Sequence, residues 1–203
     1  MSAFERIHVS AEVVAALARG DRAAAGEVYR ALSGVVYTLA LRLLADRQLA
    51  NEATQDTFVD VIERAASVES PAAFVGWVRS IAVNRCLMRL RSPWHRRRLP
   101  WSDADADDRG AGAARLDGFG DLERALRRLT PAARFVVWMH DVEGYTHAEI
   151  ARLTGKTESH SKSQLQRAHA RLLAWHTETD DGRKDSASPC DGAARIADGG
   201  AAG

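Results

Sequence analysis

An all-α fold of two helical domains joined by a flexible linker is what this sequence predicts, and three observations predict it. Apolar residues recur at spacings of three and four through most of the chain, the repeat of helices with one buried face. No stretch of convincing length alternates apolar and polar residues as a half-buried strand does. The periodicity breaks off between Ser102 and Gly120, where Asp103, Asp105, Asp107 and Asp108 stand among glycines and alanines. Such a composition cannot bury enough apolar surface to offset the entropy of ordering. The chain therefore divides into a first domain over 8–101, a flexible linker over 102–120, a second domain over 121–176 and a disordered tail over 177–203. At about 3.3 Å per residue the linker could stretch on the order of 60 Å, so the two domains need not touch.

The first domain opens with Ser10 as an N-cap, Glu12 in the first turn and Val13, Val14 and Leu17 before Gly20 ends the helix. Asp21 starts a longer helix in which Val28, Leu32, Val35, Leu39 and Leu43 make one apolar stripe. After the Asp46-Arg47 break, a third helix from about Leu49 to Ala66 is expected to bury Ala53, Phe58, Val61, Ile62 and Ala65. The stretch Ser67 to Pro71 reads as a turn, and Phe74, Trp77, Val78, Ile81 and Leu87 or Met88 mark a fourth helix. In the second domain, Leu122, Leu126 and Leu129 share a face, and Thr130-Pro131 supply the N-cap and first residue of the next helix. That helix is expected to bury Phe135, Val136, Trp138 and Met139. A short helix with Ile150, Ala151 and Leu153, the turn Thr154-Gly155-Lys156 and a final helix from Thr157 to about His176 complete it.

Bulk properties narrow the functional class. With 203 residues, 46% of them hydrophobic, the chain can bury a real core. Cys86 and Cys190 lie far apart without metal-ligand spacing, which supports neither a disulfide framework nor a zinc site and points to a reducing cytoplasm. No stretch approaches the roughly 18 apolar residues of a membrane span, so no membrane insertion is expected. His169 and His176 share one helix but have no third ligand in view, and no phosphate loop, nucleophile elbow or metalloprotease signature occurs. An enzyme, a cofactor and a bound metal are all unexpected.

The formal net charge of +1 conceals strong segregation. Between Trp77 and Pro100 stand Arg79, Arg85, Arg89, Arg91, Arg96, Arg97 and Arg98 without a single acid. Arginines beside Phe74, Trp77 and Trp94 suit an unpaired nucleic-acid strand, with guanidinium for phosphate and ring for base. Trp77 fits a core position equally well, because its spacing to Val78 and Ile81 serves both roles. The stretch from Thr146 to Leu173 has the helix-turn-helix arrangement, with small Ala151 at a close helix crossing and Gly155 free to turn left-handed. Its second helix carries Lys156, Lys162, Gln164, Arg167, His169 and Arg171, donors suited to phosphates and base edges in a major groove.

With these segments in view, the chain resembles the extracytoplasmic function (ECF) sigma factors, the smallest members of the bacterial sigma-70 family, over roughly residues 11 to 175. In the first domain, Gly20-Asp21-Arg22-Ala23-Ala24 with Tyr29, the run Leu39 to Arg47, Gln55-Asp56-Thr57-Phe58 and the run Phe74 to Asn84 are similar, in order, to region two. In the second, Leu129 to Arg134, Asp141-Val142-Glu143-Gly144-Tyr145-Thr146, Glu149-Ile150-Ala151 and Lys162 to Leu172 are similar to region four.

The resemblance implies a mechanism. Core RNA polymerase would be bound through the third helix, on the clamp helices of its largest subunit, by Asn51, Glu52, Gln55, Asp56 and Phe58. Promoter DNA would be read at the minus-ten element by Trp77, Asn84, Arg85, Arg89 and Arg91, with Asn84 near an extruded base. Flipping a base costs a few kcal/mol, which a pocket near the Ser67 to Ala73 loop could offset. The minus-thirty-five element would be read as duplex by His160, Lys162, Gln164, Arg167 and Arg171.

Two departures from the family pattern stand out. Leu49-Ala50-Asn51-Glu52 replaces a more acidic run, and Thr54 stands where an apolar residue is usual, so a phosphate there would add about 1.5 to 2 negative charges. Control by a Ser/Thr kinase at Thr54 and control by an anti-sigma factor are the two regulatory expectations. Ser161 also replaces an inward-packing residue, and its hydroxyl needs a partner. The competing functional reading is a conventional helix-turn-helix regulator that binds a palindromic duplex as a dimer without polymerase.

Overall fold

The structure is a computed structural model that describes residues 2–92 and 121–185, with no strand among them. The linker expected over 102–120, together with Trp94, Arg96, Arg97, Arg98 and the tail from residue 186, lies outside the described residues.

Helix α1 (Ala11–Ala18) starts at Ser10, whose Oγ accepts the Val13 N–H at 3.4 Å. Helix α2 (Arg22–Leu44) starts at Asp21, whose carboxylate accepts the N–H groups of Ala23 and Ala24 at 2.7 and 3.2 Å. Both caps satisfy amides that have no partner inside a helix. Helix α2 ends on Ala45 at φ 54, a left-handed conformation that costs an alanine roughly 1–2 kcal/mol. Helix α3 (Arg47–Arg64) is capped by Asp46 and runs into a 3-10 turn at Ala65–Ser67. A second 3-10 turn, Pro71–Ala73, leads into helix α4 (Phe74–Arg91).

These four helices close around one core in which α2, α3 and α4 pack mutually. The α2 stripe is Val28, Leu32, Val36, Leu39 and Leu43, all buried. Val36 thus takes the place expected of Val35, which is only half-buried. Ile62 was expected inside but is 52% exposed, because Phe58, Val61 and Ala65 already fill that side of α3. On α4 it is Leu87 that is buried, and Met88 that faces outward. A 3-10 turn at Ala3–Arg6 buries Phe4 in the same core, so the domain begins before residue 8.

The second module comprises α5 (Asp121–Arg128), α6 (Pro131–Val137), α7 (His147–Thr154) and α8 (Glu158–Asp185). Thr130 caps α6 through the Ala133 N–H at 3.3 Å, and Pro131 occupies its first position. The helix then widens into a π turn, Trp138–Val142. Helix α7 begins with a reciprocal capping box between Thr146 and Glu149 and ends at Gly155, where φ is 66. Helix α8 continues to Asp185, beyond the residue 177 at which the tail was expected to start.

The linker leaves contact between the modules optional, and in this structure they touch. Helix α6 lies against α2, and the segment after the π turn reaches α4 and the N-terminal 3-10 turn. No helix among the described residues is long and apolar enough to cross a membrane.

Candidate nucleic-acid interface

Helix α4 has three sides. One is core, where Phe74, Val78, Ile81, Ala82 and Leu90 are buried. The second faces α3. There Arg85 makes two hydrogen bonds to the Asp60 carboxylate, and Arg89 donates to Asp56 at 2.7 Å with Glu52 3.9 Å away. Donating to Asp60 raises the pKa of Arg85 further. Two arginines expected on DNA are therefore tied to acids of α3, of which Asp56 was expected on polymerase and Asp60 was not, a pairing invisible in sequence because 25 and 33 residues separate the partners.

The third side is open. Trp77, Ser80, Asn84, Met88 and Arg91 follow one another at steps of three and four and form one stripe. Trp77 sits at its edge, half-buried, with its ring 5.9 Å from that of Phe74, so it belongs to both core and surface. Asn84 is exposed, and Met88 is 62% exposed. The apolar spacing marks Met88 only as a possible core residue, although its step from Asn84 to Arg91 places it on this stripe.

On α3 the open stripe is Asn51, Gln55, Val59 and Ile62. Glu52 and Asp56 flank it, half-exposed and turned toward Arg89. Phe58 does not share it. Its ring is buried, edge-on to Tyr29 at 4.8 Å, and it supports the surface from beneath. Thr54 is buried as well, and its hydroxyl donates to the Ala50 carbonyl at 2.7 Å. This arrangement withholds the hydroxyl from a kinase, so the phosphate expected at Thr54 has no surface site.

The helix-turn-helix is built as expected. Ile150, Ala151, Leu165 and Ala168 form its shared core. The Ser161 hydroxyl finds its partner in His147 Nδ1 at 3.0 Å. The rings of His140 and His147 stack at 4.5 Å, and burial together with His140 lowers the His147 pKa. Asp141 joins His140 at 2.9 Å and His169 at 2.6 Å, fastening α8 to the π turn. Burial pushes the Asp141 pKa up, but the bonds to both histidines outweigh it and hold the carboxyl below its ordinary range. No group that could hold a metal ion occurs among the described residues.

Residues 161, 164, 165 and 168 face inward on α8, so Gln164 is buried and cannot reach a base edge. Gln164 was expected on DNA. The period set by Leu165 and Ala168 would have excluded it. Lys162, Ser163, Gln166, Arg167 and Arg171 are exposed, and His160 is half-buried. Lys162 lies 4.0 Å from Glu158, a loose surface pair that leaves it available to phosphate.

Where the modules meet, Glu143 is the central group. Its carboxylate accepts from Trp138 Nε1 at 3.3 Å and from the Ser2 hydroxyl at 2.6 Å. Arg79 donates to the Glu143 carbonyl at 3.2 Å, stands 3.7 Å from its carboxylate and lies over the Tyr145 ring at 5.0 Å. Arg91 donates to the Leu153 carbonyl at 2.6 Å, and the Arg42 guanidinium lies 5.5 Å from the Trp138 ring centre. Arg134 is 3% exposed, donates through Nε to the Leu43 carbonyl at 3.1 Å and has no partner for Nη2. Burial brings its pKa down to about 10. None of these contacts was foreseen. Elsewhere, the fully buried Cys86 thiol is pushed up to about 12.

Known proteins match this arrangement. Residues 28–96 match the family described as Sigma-70 region 2, and residues 119–172 the one described as Sigma-70, region 4. The ECF RNA polymerase sigma factor SigM of Mycobacterium tuberculosis is 34% identical over 164 residues, covering 80% of this chain and 82% of the relative. SigE of Mycolicibacterium smegmatis is 31% identical over 179 residues, covering 79% of this chain and 66% of that one. The solved sigma factor RpoE of Bartonella quintana, in complex with the anti-sigma factor NepR, shares the fold with a TM-score of 0.50 at 21% identity. That likeness covers 73% of this chain and 94% of the other. Both region patterns in order, and relatives that align along most of their own length, establish that the chain belongs to the sigma-70 family as an extracytoplasmic function sigma factor.

Proposed function

We propose that the chain is a dissociable specificity subunit that joins core RNA polymerase in the cytoplasm and directs it to one class of promoter, without catalysis of its own. The observation that carries this reading is the presence of two different nucleic-acid surfaces in one chain. The α4 stripe offers a ring, an amide, a thioether and a guanidinium, which suits unpaired bases and their backbone. The α8 surface offers Lys162, Arg167 and Arg171 beside a helix-turn-helix, which suits a duplex major groove. A duplex-only regulator has no use for the first surface.

In this assignment Asn84 reads the upstream edge of the melted minus-ten element, with Trp77 and Met88 offering apolar contact to the unstacked strand and Arg91 its phosphates. Arg85 and Arg89 hold α4 against α3 rather than touching DNA. The α8 surface reads the minus-thirty-five element. The polymerase clamp docks on Asn51, Gln55, Val59 and Ile62, an apolar centre with polar flanks and half-exposed Glu52 and Asp56 beside it. An anti-sigma factor is a better fit than a kinase as regulator, since Thr54 is buried.

Co-purification with core polymerase followed by run-off transcription on genomic fragments tests the proposal. Discrete start sites are expected from wild type, and their loss from Val59→Glu without loss of folding. Failure to bind polymerase, together with protection of a palindromic duplex by the protein alone, would instead establish the regulator.

A further inference from the structure

Helix α8 is fastened at two points by one polar network. At the first, the Ser161 hydroxyl meets His147 Nδ1 at 3.0 Å. The His147 ring stacks on that of His140 at 4.5 Å, 20° from parallel. His140 Nδ1 lies 2.9 Å from one Asp141 oxygen, and the other oxygen lies 2.6 Å from His169 Nε2, back on α8. An ionised carboxylate only accepts, so His140 carries its hydrogen on Nδ1 and His169 on Nε2. The contacts thus leave α8, cross the start of α7 and the π turn, and return to α8 two turns further on, about 12 Å along its axis.

A helix held at one point can swivel on its apolar contacts, whereas one held at two cannot. Lys162, Ser163, Gln166 and Arg167 are exposed and all lie between the two attachments. Hydrogen bonds to base edges need direction as well as distance, while attraction to phosphate tolerates a tilt. The network therefore bears on the reading of sequence far more than on general affinity for DNA.

It is also exposed to acid, because histidine changes charge between about pH 5 and 8. His147 is faced by His140 and Asp141 of the π turn and by Glu158 and Lys162 of α8, and Asp141 is faced by His140 and His169. One proton beside Asp141 is compensated by the carboxylate. A proton on each stacked ring would set two cations face to face, with Lys162 adding to the repulsion.

We propose that Asp141 is a positioning residue for the duplex-reading helix, holding α8 through His140, His147 and His169, and that acid loosens this hold at the stacked rings. The proposal rests on the reading of α8 as the surface for duplex DNA.

The experiment uses the full chain and a short fluorescent duplex enriched from a random-sequence library by the wild-type protein, with a scrambled duplex of the same composition beside it. The ratio of the two affinities measures sequence reading, and the scrambled affinity measures attraction to phosphate. At about pH 8, Asp141→Ala is expected to lower the ratio about tenfold and to leave the scrambled affinity within about twofold. Asp141→Asn, whose amide oxygen still accepts from one ring, is expected to recover part of that loss. Between about pH 8 and 5 the wild-type ratio is expected to fall about fivefold. The double variant His147→Phe, Ser161→Ala keeps an uncharged ring against His140, and its ratio is expected to stay level. An unchanged ratio in Asp141→Ala, or an equal loss of both affinities, would overturn the positioning role. A wild-type ratio that is level with pH, or a double variant that falls as wild type does, would overturn the acid release. If no duplex is enriched, the reading of α8 falls, and the positioning role with it.

Discussion

The two modules place charge in opposite ways. In the first, Arg85 and Arg89 meet Asp60, Asp56 and Glu52 at the rim between α3 and α4, and the helices bury no charge beneath it, only the uncharged hydroxyls of Thr54 and Thr57 among apolar side chains. In the second, Arg134 and Glu143 are buried, together with the polar Ser161 and Gln164. A domain of about 55 residues has little core to spare and buries a smaller share of its surface than a larger one. The rim arginines of the first module find their acids within it, whereas Arg134 and Glu143 of the second find partners on its neighbour.

The sharpest way to break this comparison is to remove one core side chain from each module. Phe74→Ala is expected to cost about 3–5 kcal/mol and to unfold the first module at much lower urea. Met139→Ala is expected to cost about 2–5 kcal/mol and to leave the first module's transition in place. Urea melts followed by fluorescence in single-tryptophan variants retaining Trp77 or Trp138 would read the two separately. One shared transition shifted by either mutation would mean that the first module does not stand alone.

A smaller effect tests the rim. Asp60→Ala leaves Arg85 half-buried without its carboxylate and is expected to cost about 1.5–3 kcal/mol, less in the presence of salt. Thr146→Ala removes the capping box of α7 and is expected to cost about 1 kcal/mol. Amide exchange should show the loss confined to α7 and its contact with α8.

The smallest effect is one of pH. The His147 pKa is lowered in the fold, so the folded state resists a proton that the unfolded chain takes up near the ordinary value of 6.5. Above that pH the group contributes no difference. As pH falls through 6.5 the second module is expected to lose stability, until the folded pKa is passed. His147→Gln should flatten this slope in melts between pH 8 and 5, and an unchanged slope would show that another group titrates.

Much of this was legible in the residues alone. Ser10, Asp21, Thr130 and Gly155 announced the helix ends because capping is local chemistry, decided within three or four residues. The helix-turn-helix and the arginine-rich helix were legible for the same reason. What local pattern could not show was which side of a helix its neighbours would claim. Val35 and Val36 are equally apolar, and only the packing of α3 and α4 chooses between them. Arg85 looked as free as Asn84 until Asp60 was found across from it. Gln164 looked as available as Lys162 until the packing of α8 turned it inward. The meeting of the modules was hidden most deeply, because Glu143 and Ser2 lie 141 residues apart and each alone is an ordinary polar residue.

Cys86, fully buried with a thiol held far from ionisation, has a practical corollary. Alkylation proceeds through the thiolate, so a reagent can modify this sulfur only after α4 has left its place in the core. In a Cys190→Ser background the rate of alkylation would therefore clock the opening of the first module, second by second, without any added label. Repeated with polymerase or promoter bound, the same clock would register how firmly each partner holds that module shut.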